Sequence, residues 1–203
     1  VRTLAALGED TAGYVPDSVR LYIRNKKLYA IEDVWKVKKY LTDERWAHTV
    51  RVAVSAAERA RSLGIYEEDA IIAAALHDCA KYLSLNAEEL KGFTPPEKIP
   101  SQVMHQFTGA YAAENTFGIK NRDILNAIKY HTTGRENMSD LEKLIFLADL
   151  LESGRDFPGI GALRNLFGQD LNRCLAAALE HQINYLKSSG AQICRLTERA
   201  REY

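Results

Sequence analysis

No run of apolar residues approaches the ~20 that a membrane-crossing helix needs, and no basic segment followed by an apolar stretch opens the chain. Both absences predict a soluble protein with no contact to a membrane. An excess of charge of either sign is missing as well. Lys+Arg and Asp+Glu number 27 each, so no global basic field points to nucleic acid. Cysteine is scarce and odd in number, at Cys79, Cys174 and Cys194. With neither a C-x-x-C pair nor the density of a disulfide-stapled scaffold, these thiols predict a reducing cytoplasm. Proline is sparse and clustered: three of the five fall within residues 93–101, which reads as a loop. Internal repeats, low-complexity tracts and alternating strand patterns are absent too. What remains is an all-α chain of 203 residues, long enough for one sizeable core with an appendage.

The helical pattern divides the chain at about residue 30. The first part, 1–30, starts without Met and holds one amphipathic helix over 18–26, with Val19, Tyr22 and Ile23 on one face. The second, 31–203, starts with a short helix over 31–41. Thr42 or Asp43 then caps a helix that runs to Gly64 and carries Arg45 and His48 on one face. Residues 70–81 form the next, and Asn86 with Glu89 predicts a cap on a short helix ending near Gly92. A helix over 102–117 carries His105, and one opened by Asn121 or Asp123 ends at His131-Thr132-Thr133-Gly134. Ser139 and Glu142 form a capping box ahead of a helix that ends near Gly154. Residues 155–159 are a turn, a helix spans about 169–187, and the tail after Gly190 is short and basic. His181 lies off the stripe of its helix and reads as structural or exposed.

Two anomalies carry the chemistry. After Ala70-Ile71-Ile72-Ala73-Ala74-Ala75-Leu76, the chain places His77, Asp78 and Lys81 together, and buried polar groups need partners. Asp149 sits in Leu144-Ile145-Phe146-Leu147-Ala148-Asp149-Leu150-Leu151, with Lys143 six residues before it and Arg155 six residues on, past the expected helix end. Without a cation one turn away, coordination of a metal is the better reading of that carboxylate. His48, His77, Asp78 and Asp149 then make a mixed nitrogen and oxygen set on three helices. Such a set suits Fe, Mn, Co or Ni rather than a closed structural zinc site.

The ligand order H…HD…D resembles that of the HD-domain metal-dependent phosphohydrolases. Further segments resemble the YqeK-type branch, bacterial enzymes that hydrolyse diadenosine tetraphosphate symmetrically to two ADP. They are Arg45-Trp46-Ala47-His48-Thr49, Leu76-His77-Asp78-Cys79-Ala80-Lys81, His131-Thr132-Thr133-Gly134, Met138-Ser139-Asp140-Leu141-Glu142-Lys143, Ala148-Asp149 and Arg155-Asp156-Phe157-Pro158-Gly159. The resemblance covers about residues 32–203 and implies an HD-domain helical bundle. It implies metal ligation by His48, His77, Asp78 and Asp149, with iron as the metal. It also implies a polyphosphate site made by Arg45, Lys81, His105, His131, Thr132 and Arg155, with 192–197, including Thr197, enclosing the nucleotide. Asp78, Lys81, His105 and His131 are the expected catalytic groups, with His131 or His105 as the proton donor to the leaving ADP. A second metal held by His105 and His131 is the alternative assignment for that pair. Two departures stand out: the branch commonly has His-Gly where this chain has His105-Gln106, and Ala-Arg-Asn where it has Ala200-Arg201-Glu202.

Residues 13–29, Gly13-Tyr14-Val15-Pro16-Asp17 through Leu28-Tyr29, resemble the C-terminal end of nicotinate-mononucleotide adenylyltransferases. That similarity implies the remnant of a fused partner domain and no adenylyltransferase activity in the chain itself. The expected partners are a small nucleotide substrate, the fused domain and, for a homodimer, a second copy. Two other functions fit the same residues: an HD phosphohydrolase acting on another nucleotide such as a nucleoside monophosphate, and a metal-containing nucleotide-binding module that regulates its fused partner.

Overall fold

A computed structural model describes residues 1–31 and 34–201. Among the described residues there is no β-strand, and ten α-helices carry the architecture. They are α1 (Arg2–Ala6), α2 (Asp17–Asn25), α3 (Asp43–Ala60), α4 (Glu67–Leu76), α5 (Met104–Asn115), α6 (Arg122–Tyr130), α7 (Asp140–Leu151), α8 (Ile160–Gln169), α9 (Leu171–Ser188) and α10 (Arg195–Arg201). Glu202, and with it the end of the Ala200-Arg201-Glu202 segment, lies outside the described residues.

Local chemistry explains most helix ends. Thr42 accepts from Arg45 N–H at 3.2 Å and opens α3; Asn121 accepts from Asp123 N–H at 2.9 Å and opens α6. Ser139 and Glu142 make both halves of the capping box on α7, and such caps each contribute roughly 1 kcal/mol. Gly64 and Gly118 take left-handed φ values of 69° and 72° past α3 and α5, where a side chain would be strained.

The core forms where α3, α4, α6 and α7 meet. α3 buries Ala53, Ala56, Ala57 and Ala60, and α4 buries Ala70, Ala73, Ala74 and Ala75. Small side chains let two helices approach closely, and α3 and α4 form the most extensive pair in the fold. α7 runs through the middle and buries Leu144, Ile145, Leu147 and Ala148. The N-terminal segment rests on this core. Ala6 and Leu7 join its hydrophobic cluster, and Trp46 Nε1 donates to Glu9 Oε1 at 2.6 Å.

The structure departs from the expectations in several places. α4 stops at Leu76, and the backbone from His77 onward continues in tight turns, with Cys79 N–H on Leu76 O at 3.1 Å and Lys81 N–H on Asp78 O at 2.9 Å. Residues 34–40 form a 3-10 helix rather than an α-helix. Asn86 caps nothing: its N–H donates to Ser84 Oγ, and the short 3-10 helix Glu88–Leu90 has no side-chain cap. The helix through Asp149 ends at Leu151, because Glu152 turns to extended backbone (φ −52°, ψ 157°). Three helices were not anticipated, α1 in the N-terminal segment being the first. α8 follows the 155–159 turn directly, and the basic tail folds into α10.

Candidate metal centre

His48, His77, Asp78 and Asp149 come together at the end of α4, between α3 and α7. His48 lies in the second turn of α3, His77 and Asp78 just past the last turn of α4, and Asp149 near the end of α7. Ligand atoms of His48, His77 and Asp149 all lie within 4.8 Å of one another, as do those of His77, Asp78 and His131.

The orientation of the imidazoles follows from their second nitrogens. His77 Nδ1 donates to Ala74 O at 2.6 Å, His105 Nδ1 to Gln102 O at 3.1 Å, and His131 Nδ1 to Ile128 O at 2.8 Å. A carbonyl only accepts, so each Nδ1 carries the proton. In each case the acceptor is the carbonyl three residues earlier. His48 has no such carbonyl and uses a carboxylate: its Nδ1 donates to Glu152 Oε1 at 3.1 Å. All four Nε2 lone pairs therefore face the pocket.

Glu152 is fully determined in turn. Arg51 and the Gly154 N–H both donate to its Oε2. A Cβ at Gly154 would lie 2.6 Å from the Arg51 guanidinium, so a larger residue there would displace that side chain from Glu152. Burial opposes ionisation of Glu152, but Arg51, the Gly154 N–H and His48 outweigh it and bring its carboxyl down to about 2. A carboxylate behind a ligating imidazole fixes the tautomer and raises its basicity.

The residues fit a metal ion on physical grounds. His48 Nε2, His77 Nε2 and Asp78 Oδ1 are buried and have no hydrogen-bond partner among the described residues. His48 Nε2 stands 3.0 Å from Asp149 Oδ1 but at no hydrogen-bonding angle. Two ligands each about 2.1 Å from one ion and a right angle apart have this separation. Asp78 and Asp149 are both held well below the usual carboxylate range. Burial alone would raise them, and the surrounding imidazoles overcome it. Burial likewise opposes a charge on His77, yet Asp78 and Asp149 push its proton affinity up. The pocket is built to hold positive charge.

Cations ring this cluster. Arg45 pairs with Asp78 Oδ2 at 3.1 Å, and Lys81 Nζ lies 3.6 Å from Asp78 Oδ1 and 3.0 Å from His105 Nε2. Arg155 corrects an expectation. Far from being out of reach past the helix end, it folds back through the 152–156 turn and donates to Asp149 Oδ1 at 2.9 Å and to Asp149 O at 3.2 Å. His105 and His131 bring their Nε2 atoms to 3.2 Å, and Thr132 Oγ1 lies 3.1 Å from His105 Nε2. Gly109, one helical turn after His105, lets α5 pack against the His77 carbonyl, which a Cβ would meet at 3.3 Å.

Thr197 is buried in α10. That helix covers the loop after His131: a Cβ on Gly134 would meet Ala200 at 3.1 Å, and Arg199 pairs with Glu136. His181 stacks on Phe157, ring centroids 4.7 Å apart. Beside the cluster, a cavity of about 240 Å³ is lined by His131, Thr132, Asp149, Arg155, Phe157 and Gln182. A larger cavity, about 1030 Å³, lies on the N-terminal segment among Asp10, Arg20, Arg24 and Trp35. Its Arg20 is already paired with Asp10 and Asp17, so chemistry and not volume locates the site.

Two residues with a clear part in this geometry, Glu152 and Arg51, escaped the sequence reading, and Gln106 entered it only as a departure from the branch. Gln106, fully buried, accepts from the N–H groups of Thr132 and Thr133 at 3.1 and 3.2 Å and donates to Thr133 Oγ1 at 3.0 Å. At this position it clamps the loop that carries His131. An acidic residue three positions after Asp149, closing an apolar helix, was a readable signal for Glu152. Nothing local marks Arg51.

The HD domain family matches residues 45–154. The symmetrical bis(5'-nucleosyl)-tetraphosphatase of Bacillus subtilis (strain 168) is 39% identical over 157 residues, covering 74% of this chain and 83% of that one. A Mycoplasma genitalium protein named a probable nicotinate-nucleotide adenylyltransferase/Ap4A hydrolase is 35% identical over 70% of this chain, which spans 40% of that protein. The crystal structure of a predicted HD superfamily hydrolase involved in NAD metabolism from Clostridium acetobutylicum superposes with a TM-score of 0.73. Its identity is 33%, over 83% of this chain and 94% of that one. With an HD match across the residues that build the cluster, and a relative of this identity and coverage, the chain belongs to the HD-domain hydrolases, among the symmetrical bis(5'-nucleosyl)-tetraphosphatases.

Proposed function

We propose that this enzyme hydrolyses diadenosine tetraphosphate symmetrically to two ADP, using a water activated by one divalent metal ion. The observation that carries the reading is the set of buried, unpartnered acceptors on His48, His77 and Asp78, with Asp149 beside them and Arg45, Lys81 and Arg155 around them. His48, His77, Asp78 and Asp149 would hold the ion; this mixed donor set suits Fe, Mn, Co or Ni, and the family resemblance points to iron among them. When bound, a divalent metal lowers the pKa of a water from 15.7 toward ~7, so that hydroxide exists at neutral pH.

The chain's own residues do the rest. Phosphoryl transfer asks for positioning and charge compensation more than for covalent chemistry. Arg45 and Lys81 approach Asp78 from opposite oxygens and keep further donors for phosphate oxygens; Arg155 does the same beside Asp149. Burial and the neighbouring His131 and Lys81 push His105 down to about 3, so it is neutral at pH 7 and accepts from Lys81. His131, 3.6 Å from Asp78 Oδ1, would stand beside the departing ADP. Thr132 adds a hydroxyl beside it, and α10 with Thr197 closes the nucleotide end.

The mapping of substrate contacts onto Arg45, Thr132, Arg155 and Thr197 is part of the proposal, as are a cytoplasmic setting and a homodimer. Residues 1–30 are the end of an adenylyltransferase-like unit. The fused name of the Mycoplasma relative supports this, as does the way Ala6, Leu7 and Glu9 anchor the segment to the hydrolase domain. The test is chromatography of the products from diadenosine tetraphosphate together with elemental analysis of the protein. Two ADP and a stoichiometric metal are expected; ATP plus AMP, or nucleoside plus phosphate, would overturn the reaction.

A further inference from the structure

His105 and His131 repeat, on the far side of Asp78, the arrangement that makes the first half of the pocket a metal site. Both Nδ1–H groups are spent on backbone carbonyls, so both Nε2 lone pairs face inward, 3.2 Å apart. Asp78 Oδ1, buried and without a hydrogen bond, lies 3.4 Å from His105 Nε2 and 3.6 Å from His131 Nε2. The Thr132 hydroxyl, 3.1 Å from His105 Nε2, can serve only one of these three converging acceptors, so they repel one another unless a cation joins them. Two imidazoles and a carboxylate shared with the neighbouring site are a donor set that a second divalent ion would accept.

A cation is already there. Lys81 comes from the turn that carries His77 and Asp78, and its ammonium stands 3.0 Å from His105 Nε2 and 3.6 Å from Asp78 Oδ1. With Cys79 N–H on Leu76 O and Lys81 N–H on Asp78 O, that turn is tightly wound, which sends the lysine stem back over Asp78. The Lys81 side chain is about one-third exposed, so part of the ammonium's donor capacity stays open to the cleft.

We propose that the Lys81 ammonium occupies the position of a second metal ion, so that the centre takes one divalent ion and carries a latent second site that opens when Lys81 is removed. This rests on the reading that His48, His77, Asp78 and Asp149 hold the first ion. An ammonium supplies one positive charge and three donors in place of a divalent charge. It can meet the phosphate oxygens on the leaving side without itself activating a second water. A bound metal would also need His105 Nε2 as a ligand, and Lys81 already uses that lone pair.

The test is Mn²⁺ binding to chelator-treated full-length protein, read by calorimetry for stoichiometry and by electron paramagnetic resonance for coupling between ions. Wild type is expected to bind one Mn²⁺ per chain with an uncoupled six-line spectrum. Lys81→Met is expected to bind two, with an exchange-coupled spectrum; Lys81→Gln serves as a second variant if the first fails to fold by circular dichroism. Two coupled ions in wild type would overturn the proposal without needing any variant. One ion in wild type and still one in a folded variant would overturn it while leaving the first site intact. No ion in wild type would overturn the metal reading itself.

Discussion

His48 and His131 make an instructive pair. Each fixes its Nδ1–H on an acceptor and turns Nε2 toward a carboxylate, but the surroundings differ. Around His48 the protein supplies a carboxylate behind the ring, Glu152, and leaves Nε2 without a hydrogen-bond donor. Around His131 it supplies a backbone carbonyl behind the ring and a cation in front, through His105 and Lys81. Identical residue types thus make a half that needs an outside cation and a half that carries its own. The difference lies in the group behind each ring and in one lysine.

Removing Asp149 should give the largest effect, because it strips the first half of the one carboxylate it does not share with His105 and His131. Asp149→Ala is expected to abolish metal binding and to lower turnover by about 10³-fold or more; full turnover with bound metal would reject the assignment. Lys81→Ala attacks the second half. It should lower kcat by about 10²-fold, as losing one positioned donor does, while the ion on the His48 side is retained.

Next comes the support behind the ring. Glu152→Gln leaves the first-half ligands in place and should weaken metal binding by about 10–100-fold, measured by competition with a chelator. The same variant tests a pH effect. The fold lowers the Glu152 carboxyl from 4.5 to about 2, so its contribution is fully present above the unfolded value and is lost as pH falls toward 2. Metal-free wild type should therefore lose stability relative to Glu152→Gln across that interval in acid unfolding. Identical acid curves would show that Glu152 is not held ionised.

The smallest expected effect is on the loop of the second half. Gln106→Ala leaves the N–H groups of Thr132 and Thr133 without their acceptor and should cost about 1–3 kcal/mol in urea unfolding. Because His131 rides on that loop, KM should rise more than metal affinity falls. A loss of metal equal to the loss of activity would show that the halves are not separable.

Legibility followed the range of the forces involved. The capping box at Ser139, the Thr42 cap and the glycines past α3 and α5 are local, and they read directly from a few adjacent residues. α8 was missed because Ile160-Gly161-Ala162-Leu163 opens with a glycine at its second position and follows a proline and glycine turn, so propensity argues against a helix there. Its place is held instead by burial of Ile160, Leu163 and Phe167. Arg155 was misjudged for a similar reason. Six positions along a helix is too far for a pair, but the helix ends at Leu151 and the chain doubles back.

The sequence by itself determined which side chains could do the chemistry, since imidazoles and carboxylates at the ends of apolar helices can be stable only with partners. It also determined the all-α architecture, through helical periodicity and caps that depend on neighbours within one or two turns. Only the tertiary structure decided how those side chains are divided. It put Glu152 behind His48, Lys81 between Asp78 and His105, and Gln106 under the His131 loop. Each of these contacts joins residues from separate turns of the chain, and their energies depend on distances of a few ångströms that exist only once the helices have packed.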